Sequence, residues 1–280
     1  MIKAIFTNIK NEHRYLPQWI EYHIRLGFNK FIIYEDEGSV SHESILNQYN
    51  KVVNIDFYDY VLKNNSDEFK DVTCFNHILS NYNDIDWLIK LDPDEYIFLP
   101  GDSTIDDLLY NVDESYNQIS LKWKLYNANG YIEAPNDWNY NLIDTYIHKI
   151  ELKDLADYFT NNVSKNSFNI GKSFVRYKNV YKQLKYYNDD IQMSTLFPHY
   201  IINVDDTTLD GDKIHICIRH YITKSFEEYY LRLRERGEYN KTNYRKLGDF
   251  FVLNPDMIKD IPKIESEFNV DVFKFETKLN

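Results

Sequence analysis

The stretch Trp87-Leu88-Ile89-Lys90-Leu91-Asp92-Pro93-Asp94-Glu95-Tyr96-Ile97-Phe98-Leu99 decides how this chain is read. An apolar run leads into three carboxylates within four residues, and a second apolar run follows. Trp87 to Leu91 predicts a strand buried on both faces. Asp92 and Asp94 lie two residues apart at its downstream end, and an extended backbone would put both side chains on one face. Pro93 lacks the N–H a ladder needs and so fits a strand end. A pair of fixed carboxylates at a strand tip suits a hard divalent cation that takes further ligands from a phosphate. The same tetrapeptide also reads as a plain turn, because Asp and Pro are ordinary turn residues. The neighbouring sequence has to decide between the two.

Upstream, the pattern alternates. Ile2 to Asn8 predicts a short strand, residues 8–13 a polar loop, and Tyr15 onward a helix. In that helix Tyr15/Leu16, Trp19/Ile20 and His23/Ile24 recur every four residues, and Gly27 stands where a C-terminal cap belongs. Phe31 to Tyr34 predicts a second strand, Ser41 to Tyr49 a short helix, Val52 to Phe57 a third strand and Phe69 to Tyr82 another helix. The first hundred residues therefore run β-α-β-α-β-α-β, which calls for a parallel sheet with helices on both faces. Ligands of such sheets bind beyond the carboxyl ends of the strands. The loops at 8–13, 35–40 and 92–95 all fall on that edge.

After residue 100 the pattern loosens. Thr104 to Tyr110 predicts a short helix. Gln118 to Leu125, Thr145 to Glu151, Phe174-Val175 and Ile214 to Ile218 predict strands, and Ser225 to Arg236 a charged helix closed by Gly237. Residues 152–170 are polar and irregular. The tail from about 246 predicts one or two helices. The expectation is one α/β domain, with a nucleotide-binding half over about 1–100, an elaborated second half over about 101–245 and a helical tail over about 246–280.

Composition bounds the function. The chain has 280 residues, 43% hydrophobic and 27% charged, enough for a real core. Its net charge of −12 argues against a general nucleic-acid or anionic-membrane binder, though a local basic pocket remains compatible with it. Cys74 and Cys217 are the only cysteines, too few for a disulfide framework or a cysteine zinc site. No apolar run reaches the length of a membrane span, and Met1 to Phe6 runs directly into polar sequence. The expected setting is cytoplasmic.

Four elements together resemble a known family. Lys10-Asn11-Glu12 with Leu16-Pro17-Gln18-Trp19-Ile20-Glu21-Tyr22-His23, Gly27 and Phe31 to Tyr34 resemble the opening of family-2-like glycosyltransferases, in the branch that includes family 92 (DUF23-type). Trp87 to Phe98 resembles that branch's D-x-D-E-aromatic segment. Trp123 with Asn129-Gly130 resembles its W-x-x-F-G-S-x-G segment. His220-Tyr221-x-x-Lys224-Ser225-x-Glu227-Glu228-Tyr229, with Arg236-Gly237, resembles its late H-Y-x-x-K-S-x-E-E-F…R-G element. One departure stands out: the loop after the second strand usually reads Y-D-N-x-S-x-D, whereas here it is Tyr34-Glu35-Asp36-Glu37-Gly38-Ser39-Val40-Ser41.

The resemblance implies a GT-A fold, a Rossmann-like, mostly parallel sheet flanked by helices with an acceptor-binding second half. It implies transfer of a hexosyl or deoxyhexosyl group from a nucleoside-diphosphate sugar, UDP-linked by preference, to a hydroxyl of a glycan or other acceptor. Inversion and Mn²⁺ or Mg²⁺ dependence come with it. Such a transfer needs the diphosphate neutralised, the anomeric carbon held, and a base for the acceptor proton. Asp94 is the expected metal ligand, Asp92 a second ligand or a ribose contact, and His220 the third ligand by family position. Lys224 would meet the diphosphate; Arg236 would join it or belong to a charged helix face. Thr7, Asn11, Glu12 and Asp36 are the expected base and ribose contacts, with Asn11 also readable as a helix cap. Glu95 reads equally as a ligand or a cap, and Trp123 as a sugar-stacking plane or core. Asp137 is the expected general base, against Glu133, Asp144, Asp205, Asp206, Asp210 and Asp212. A nucleotidyltransferase would carry a Gly-rich phosphate loop near the start, but the first glycine is Gly27. A catalytically inactive sugar-nucleotide or glycan-binding module would keep the same residues.

Overall fold

In the computed structural model, residues 1–59, 70–150, 171–178, 208–235 and 246–272 are described. The first hundred residues follow their hydrophobic pattern. They form β1 (Lys3–Ile9), α1 (Leu16–Leu26), β2 (Lys30–Glu35), α2 (Glu43–Leu46), β3 (Asn54–Tyr58), α3 (Lys70–Asn81), β4 (Trp87–Lys90) and β5 (Glu95–Phe98). Then come α4 (Ile105–Tyr110), β6 (Gln118–Leu125), α5 (Leu142–Thr145), β7 (Gly171–Arg176), β8 (Thr208–Asp210) and β9 (Cys217–His220). The chain continues with α6 (Phe226–Glu235), α7 (Leu247–Leu253) and α8 (Ile261–Phe268).

Packing divides the chain into two compact units. The first comprises Met1–Trp123 with Phe168–Arg219, the second Lys124–Ser167 with His220–Asn280. In the first, β3, β2, β1 and β4 lie side by side and run parallel, with Phe6 opposite both Ile32 and Lys90. Successive side chains of β1 leave opposite faces of the sheet. Ala4 and Phe6 pack with Ile32, Cys74, Phe75, Ile78 and Leu88 under α3. On the other face Trp19 of α1 meets the edge of Phe31, with ring centroids 5.8 Å apart. Burying each such side chain is worth roughly 1.5–3 kcal/mol relative to leaving it in water.

Beyond β4 the sheet turns antiparallel. β7 pairs antiparallel with β4 and with β6, and the full order is β3-β2-β1-β4-β7-β6-β9-β5, with β8 parallel to β6. β4 stands fourth and β5 last, yet only residues 91–94 separate them. Strands sit about 4.8 Å apart, so a flat sheet would part these two by about 19 Å. Four residues folded into a turn do not reach that far, so the sheet curls back on itself. The close approach of β7 to β6 depends on Gly171, where a Cβ would lie 1.9 Å from the Leu121 carbonyl oxygen.

The second unit has its own core. Phe226, Tyr229 and Leu233 of α6 pack with Phe250 and Phe251 of α7, Met257 and Ile264. The Asn254 side chain pins Ala128, accepting from its N–H at 2.6 Å and donating to the Phe250 carbonyl at 2.7 Å. Among the described residues no helix is long and apolar enough to cross a membrane.

Several local expectations needed correction. Within the strand expected over Thr145 to Glu151, the described residues 145–150 form none: α5 ends at Thr145, and only Lys149 makes an isolated bridge, to Tyr126. The predicted strand at Ile214 is displaced, because residues Gly211–Ile214 form a 3₁₀ turn capped by the Asp210 side chain and His215 takes a left-handed conformation. The strand begins at Cys217 instead. Residues 152–170 lie outside the described residues.

Candidate functional site

The acidic segment is a turn, not a continued strand. The Glu95 N–H donates to the Asp92 carbonyl at 2.9 Å, closing residues 92–95. Asp92 and Asp94 therefore do not share one face of an extended strand; the turn sets where each carboxylate lies. Asp94 is 4% exposed and Glu95 is fully buried. Glu95 closes the turn a second time, accepting from the Asp92 N–H at 2.8 Å.

Two lysines that sequence reasoning passed over complete this corner. Lys90, the last residue of β4, places its ammonium 2.7 Å from Asp92 Oδ1. Lys172, from β7, lies 3.2 Å from Asp92 Oδ2 and 3.5 Å from Glu95 Oε2. Both lysine side chains are buried. Lys172 also sits 5.6 Å from the centre of the half-buried Trp123 ring, within cation–π reach. Buried lysines are rare unless paired, so a Lys inside the apolar run Trp87-Leu88-Ile89-Lys90 was the available signal. Three acidic and two basic side chains thus share the corner.

Helix α1 holds the turn from behind. The Trp19 indole N–H donates to the Glu95 carbonyl at 2.9 Å, and the Tyr22 hydroxyl to the Ile97 carbonyl at 2.7 Å. His23, one turn on, is fully buried and donates from Nδ1 to the Trp19 carbonyl at 2.8 Å. Burial pushes its pKa down to about 3, so the ring is neutral. Gly27, at φ 107°, ends the helix with a left-handed cap, and the Phe28 N–H reaches back to the His23 carbonyl.

The second corner joins the loops after β1 and β2. The Asp36 N–H donates to the Ile9 carbonyl at 2.8 Å. Asn11, at φ 56°, donates its N–H to Ser39 Oγ, and its Oδ1 accepts from the Val40 N–H at 3.1 Å. Asn11 is therefore not the helix cap; Tyr15 precedes the first turn, with no side-chain cap. The Glu12 N–H donates to His42 Nε2 at 2.9 Å, and His42 Nδ1 donates to Glu35 Oε1 at 2.6 Å. Thr7, one of the expected base and ribose contacts, lies inside β1 as its strand pattern predicts, opposite Ile33 and fully buried.

The late element belongs to the second unit. His220 ends β9, and its carbonyl accepts from the Tyr126 N–H at 3.0 Å. Residues from His220 through Phe226 are all buried, Lys224 among them at φ 56°. Glu228, in the first turn of α6, accepts from Ser225 Oγ at 2.7 Å and from the hydroxyls of Tyr140 and Tyr146. That carboxylate and its neighbours push the Tyr146 phenol well above its ordinary range, with burial the largest cause.

The general-base candidates separate. Asp210 and Asp212 are both ion-paired to Lys122, at 3.4 and 2.7 Å, and serve the 3₁₀ turn. Glu133 and Asp144 are exposed. Asp137 lies in the 3₁₀ turn Pro135–Trp138, and its side chain falls outside the described residues, as do Asp205, Asp206 and Arg236.

For a divalent cation, the buried carboxylates of the turn are hard oxygen donors of the right kind. Asp92, however, has an ammonium on each oxygen, so a cation would share it or displace a lysine. Among the described residues no group of three or more His, Cys, Asp or Glu is arranged to hold a metal ion.

Comparison with known proteins agrees with the sequence pattern. The family model for glycosyltransferase family 92 matches residues 8–252. A glycosyltransferase family 92 protein of Oryza sativa subsp. japonica is 28% identical over 110 residues, which is 39% of this chain and 18% of that protein. The chain thus matches less than a fifth of that relative's length. Among solved structures, S. aureus TarS residues 1–349 in complex with UDP aligns with all of this chain and 76% of that one, at 12% identity and a TM-score of 0.48. Glucosyl-3-phosphoglycerate synthase from Mycobacterium tuberculosis, with Mn²⁺, UDP and glucosyl-3-phosphoglycerate, aligns over 46% of each chain at 12% identity and a TM-score of 0.30.

Proposed function

We propose, from the premise that the chain belongs to glycosyltransferase family 92, that it moves a hexosyl or deoxyhexosyl group from a nucleoside-diphosphate sugar to a hydroxyl of a glycan or other acceptor. UDP is the favoured nucleotide and inversion the favoured outcome, both carried over from the family resemblance. The observation that supports this best is the pair of polar corners at the carboxyl ends of β1, β2 and β4. In a parallel α/β sheet that edge is where a nucleotide is held.

The chain's own residues then divide the work. Asn11, Glu12 and Asp36 hold the base and ribose. Asp94, buried at the tip of β4, is the first unit's ligand for Mn²⁺ or Mg²⁺. His220 enters as a ligand, and Lys224 as a diphosphate contact, from family position alone. When bound, the cation supplies charge neutralisation to the diphosphate. Lys90 and Lys172 hold Asp92 and Glu95 in place and keep the corner close to charge balance, so the acidic turn does not repel an incoming phosphate. Asp137 is the proposed base for the acceptor proton. The decisive experiment offers a panel of UDP-, GDP- and other nucleotide sugars with Mn²⁺ or with EDTA, and follows thermal shift and slow donor hydrolysis. A metal-dependent response that Asp94→Ala removes supports the assignment; no response to any donor sinks it.

One observation favours a second reading. Both oxygens of Asp92 face ammonium groups, an arrangement that also suits a module that binds a sugar nucleotide or glycan without turning it over. Binding of a donor with no hydrolysis and no transfer, with or without Mn²⁺, would select it.

A further inference from the structure

We propose that His42 is a positioning residue for the donor: as a neutral imidazole of fixed tautomer it locks the loop after β1 to the loop after β2, a role that presupposes the nucleotide contacts proposed above for those loops. His42 is fully buried. Its Nε2 accepts from the Glu12 backbone N–H at 2.9 Å, and an accepting Nε2 carries no proton. The ring proton is therefore on Nδ1, which donates to Glu35 Oε1 at 2.6 Å. The same carboxylate oxygen accepts from the His42 N–H at 2.9 Å. Glu35 thus orients the imidazole, and the imidazole orients the backbone at Glu12. Asn11, one residue before, is held in the left-handed conformation by Ser39 and Val40. Non-glycine residues adopt that conformation at a cost, so the surrounding contacts must impose it.

The groups facing His42 are few. Glu35 lies on Nδ1 and Glu12 follows the accepting bond. His13 stacks on the ring with centroids 3.8 Å apart, and its own Nε2 is 3.2 Å from the Ser41 carbonyl. Protonating His42 would turn Nε2 into a donor facing the Glu12 N–H donor, so the lock opens. Burial, the largest cause, holds the His42 pKa below its ordinary 6.5, with His13 pushing the same way and Glu35 opposing. The neutral lock is complete above pH 6.5 and is lost only as the pH falls through the lowered value of the folded state.

The test uses the whole chain and the tightest-binding member of the donor panel, with binding measured by calorimetry between pH 8 and pH 5. A sugar nucleotide serves better than a free diphosphate, because its diphosphate does not titrate in this window. Expected is an affinity that is flat from pH 8 to pH 6.5 and weakens only below that, by up to about tenfold once the ring is protonated, the scale of one lost buried hydrogen bond and a loosened loop. His42→Gln, whose amide oxygen can take the place of Nε2, should keep most of the affinity at pH 8 and lose the pH dependence. His42→Ala should bind about tenfold more weakly at pH 8. Donor affinity that falls with pH equally in wild type and His42→Gln overturns the proposal, as does unchanged binding by a folded His42→Ala. If wild type binds no sugar nucleotide at pH 8, the nucleotide role of these loops fails, and the proposal falls with it for that separate reason.

Discussion

Two corners of the first unit lie at carboxyl ends of parallel strands and hold their polar residues by opposite means. The corner after β1 and β2 is tied by backbone N–H groups, an amide side chain and a neutral imidazole anchored on the Glu35 carboxylate, with no ammonium in these bonds. The corner after β4 is tied by two buried ammonium groups set among carboxylates. The difference matches what each would have to face. A base and ribose carry no charge and are recognised by fixed donors and acceptors. A diphosphate is highly charged, and a corner already near charge balance can exchange one ionic partner for another with little reorganisation.

The largest expected effect comes from the charged corner. Asp94→Ala should lower turnover by about 10³-fold if the carboxylate holds the cation that faces the leaving group. Thermal unfolding run alongside should move little. Equal losses from Glu95→Gln and Asp94→Ala would instead mean that the whole turn, not one ligand, had been broken.

Next is Lys172→Met, which removes the ammonium facing Asp92 Oδ2 and Glu95 Oε2 and leaves Lys90 to hold Asp92 through Oδ1. Breaking a buried pair from one side costs about 3 kcal/mol or more, readable as a lower urea midpoint. A loss below about 1 kcal/mol would mean that the corner behaves like a surface ion pair. No comparable penalty is expected from Ser39→Ala at the corner after β1 and β2, and that contrast is what the pair of urea curves would check.

His23 gives a pH signature spread over several pH units. Its folded pKa, about 3, lies below its unfolded value. The stability from the neutral ring is present above pH 6.5 and lost as the pH falls towards 3, at roughly 1.4 kcal/mol per pH unit. His23→Phe should flatten that part of the stability curve. Smallest is Trp19→Phe, which keeps the ring plane but drops the N–H to Glu95. About 1 kcal/mol is expected in stability, together with a raised KM for the donor if the turn drifts.

How much of this could be read from residues alone depended on range. β1, β2 and β4 were legible because each is a short apolar run set off by polar loops, and parallel strands buried on both faces leave that mark; β3, an edge strand, shows only the alternation of Ile55 and Phe57 with polar residues. The α1 pattern gave the buried stripe of Leu16, Trp19, Ile20 and His23 correctly. Gln118 to Leu125 was legible by a different mark, the alternation of Ile119, Leu121, Trp123 and Leu125 with polar residues. The acidic tetrapeptide was legible as important but not as a shape, since Asp92-Pro93-Asp94-Glu95 satisfies both a strand end and a turn. Lys172 was out of reach because it enters the corner from 80 residues downstream, and nothing local marks it. His42 was out of reach because its importance lies in three bonds to two loops. Thr145 to Glu151 misled because its apolar residues Tyr146, Ile147 and Ile150 follow a short helix rather than entering a ladder.

The curled sheet has a consequence for synthesis. The acidic turn is made early, but Lys172 and β7 come 80 residues later, and β9, the neighbour of β5, later still. At about 5–20 residues per second the ribosome needs about 4–16 s to cover that gap. Through that time the nascent chain has three carboxylates facing one lysine and an apolar β5 edge with nothing to pair with. That is the interval in which a chaperone or an aggregating neighbour has its best opportunity, and it closes only when the far end of the first unit folds back.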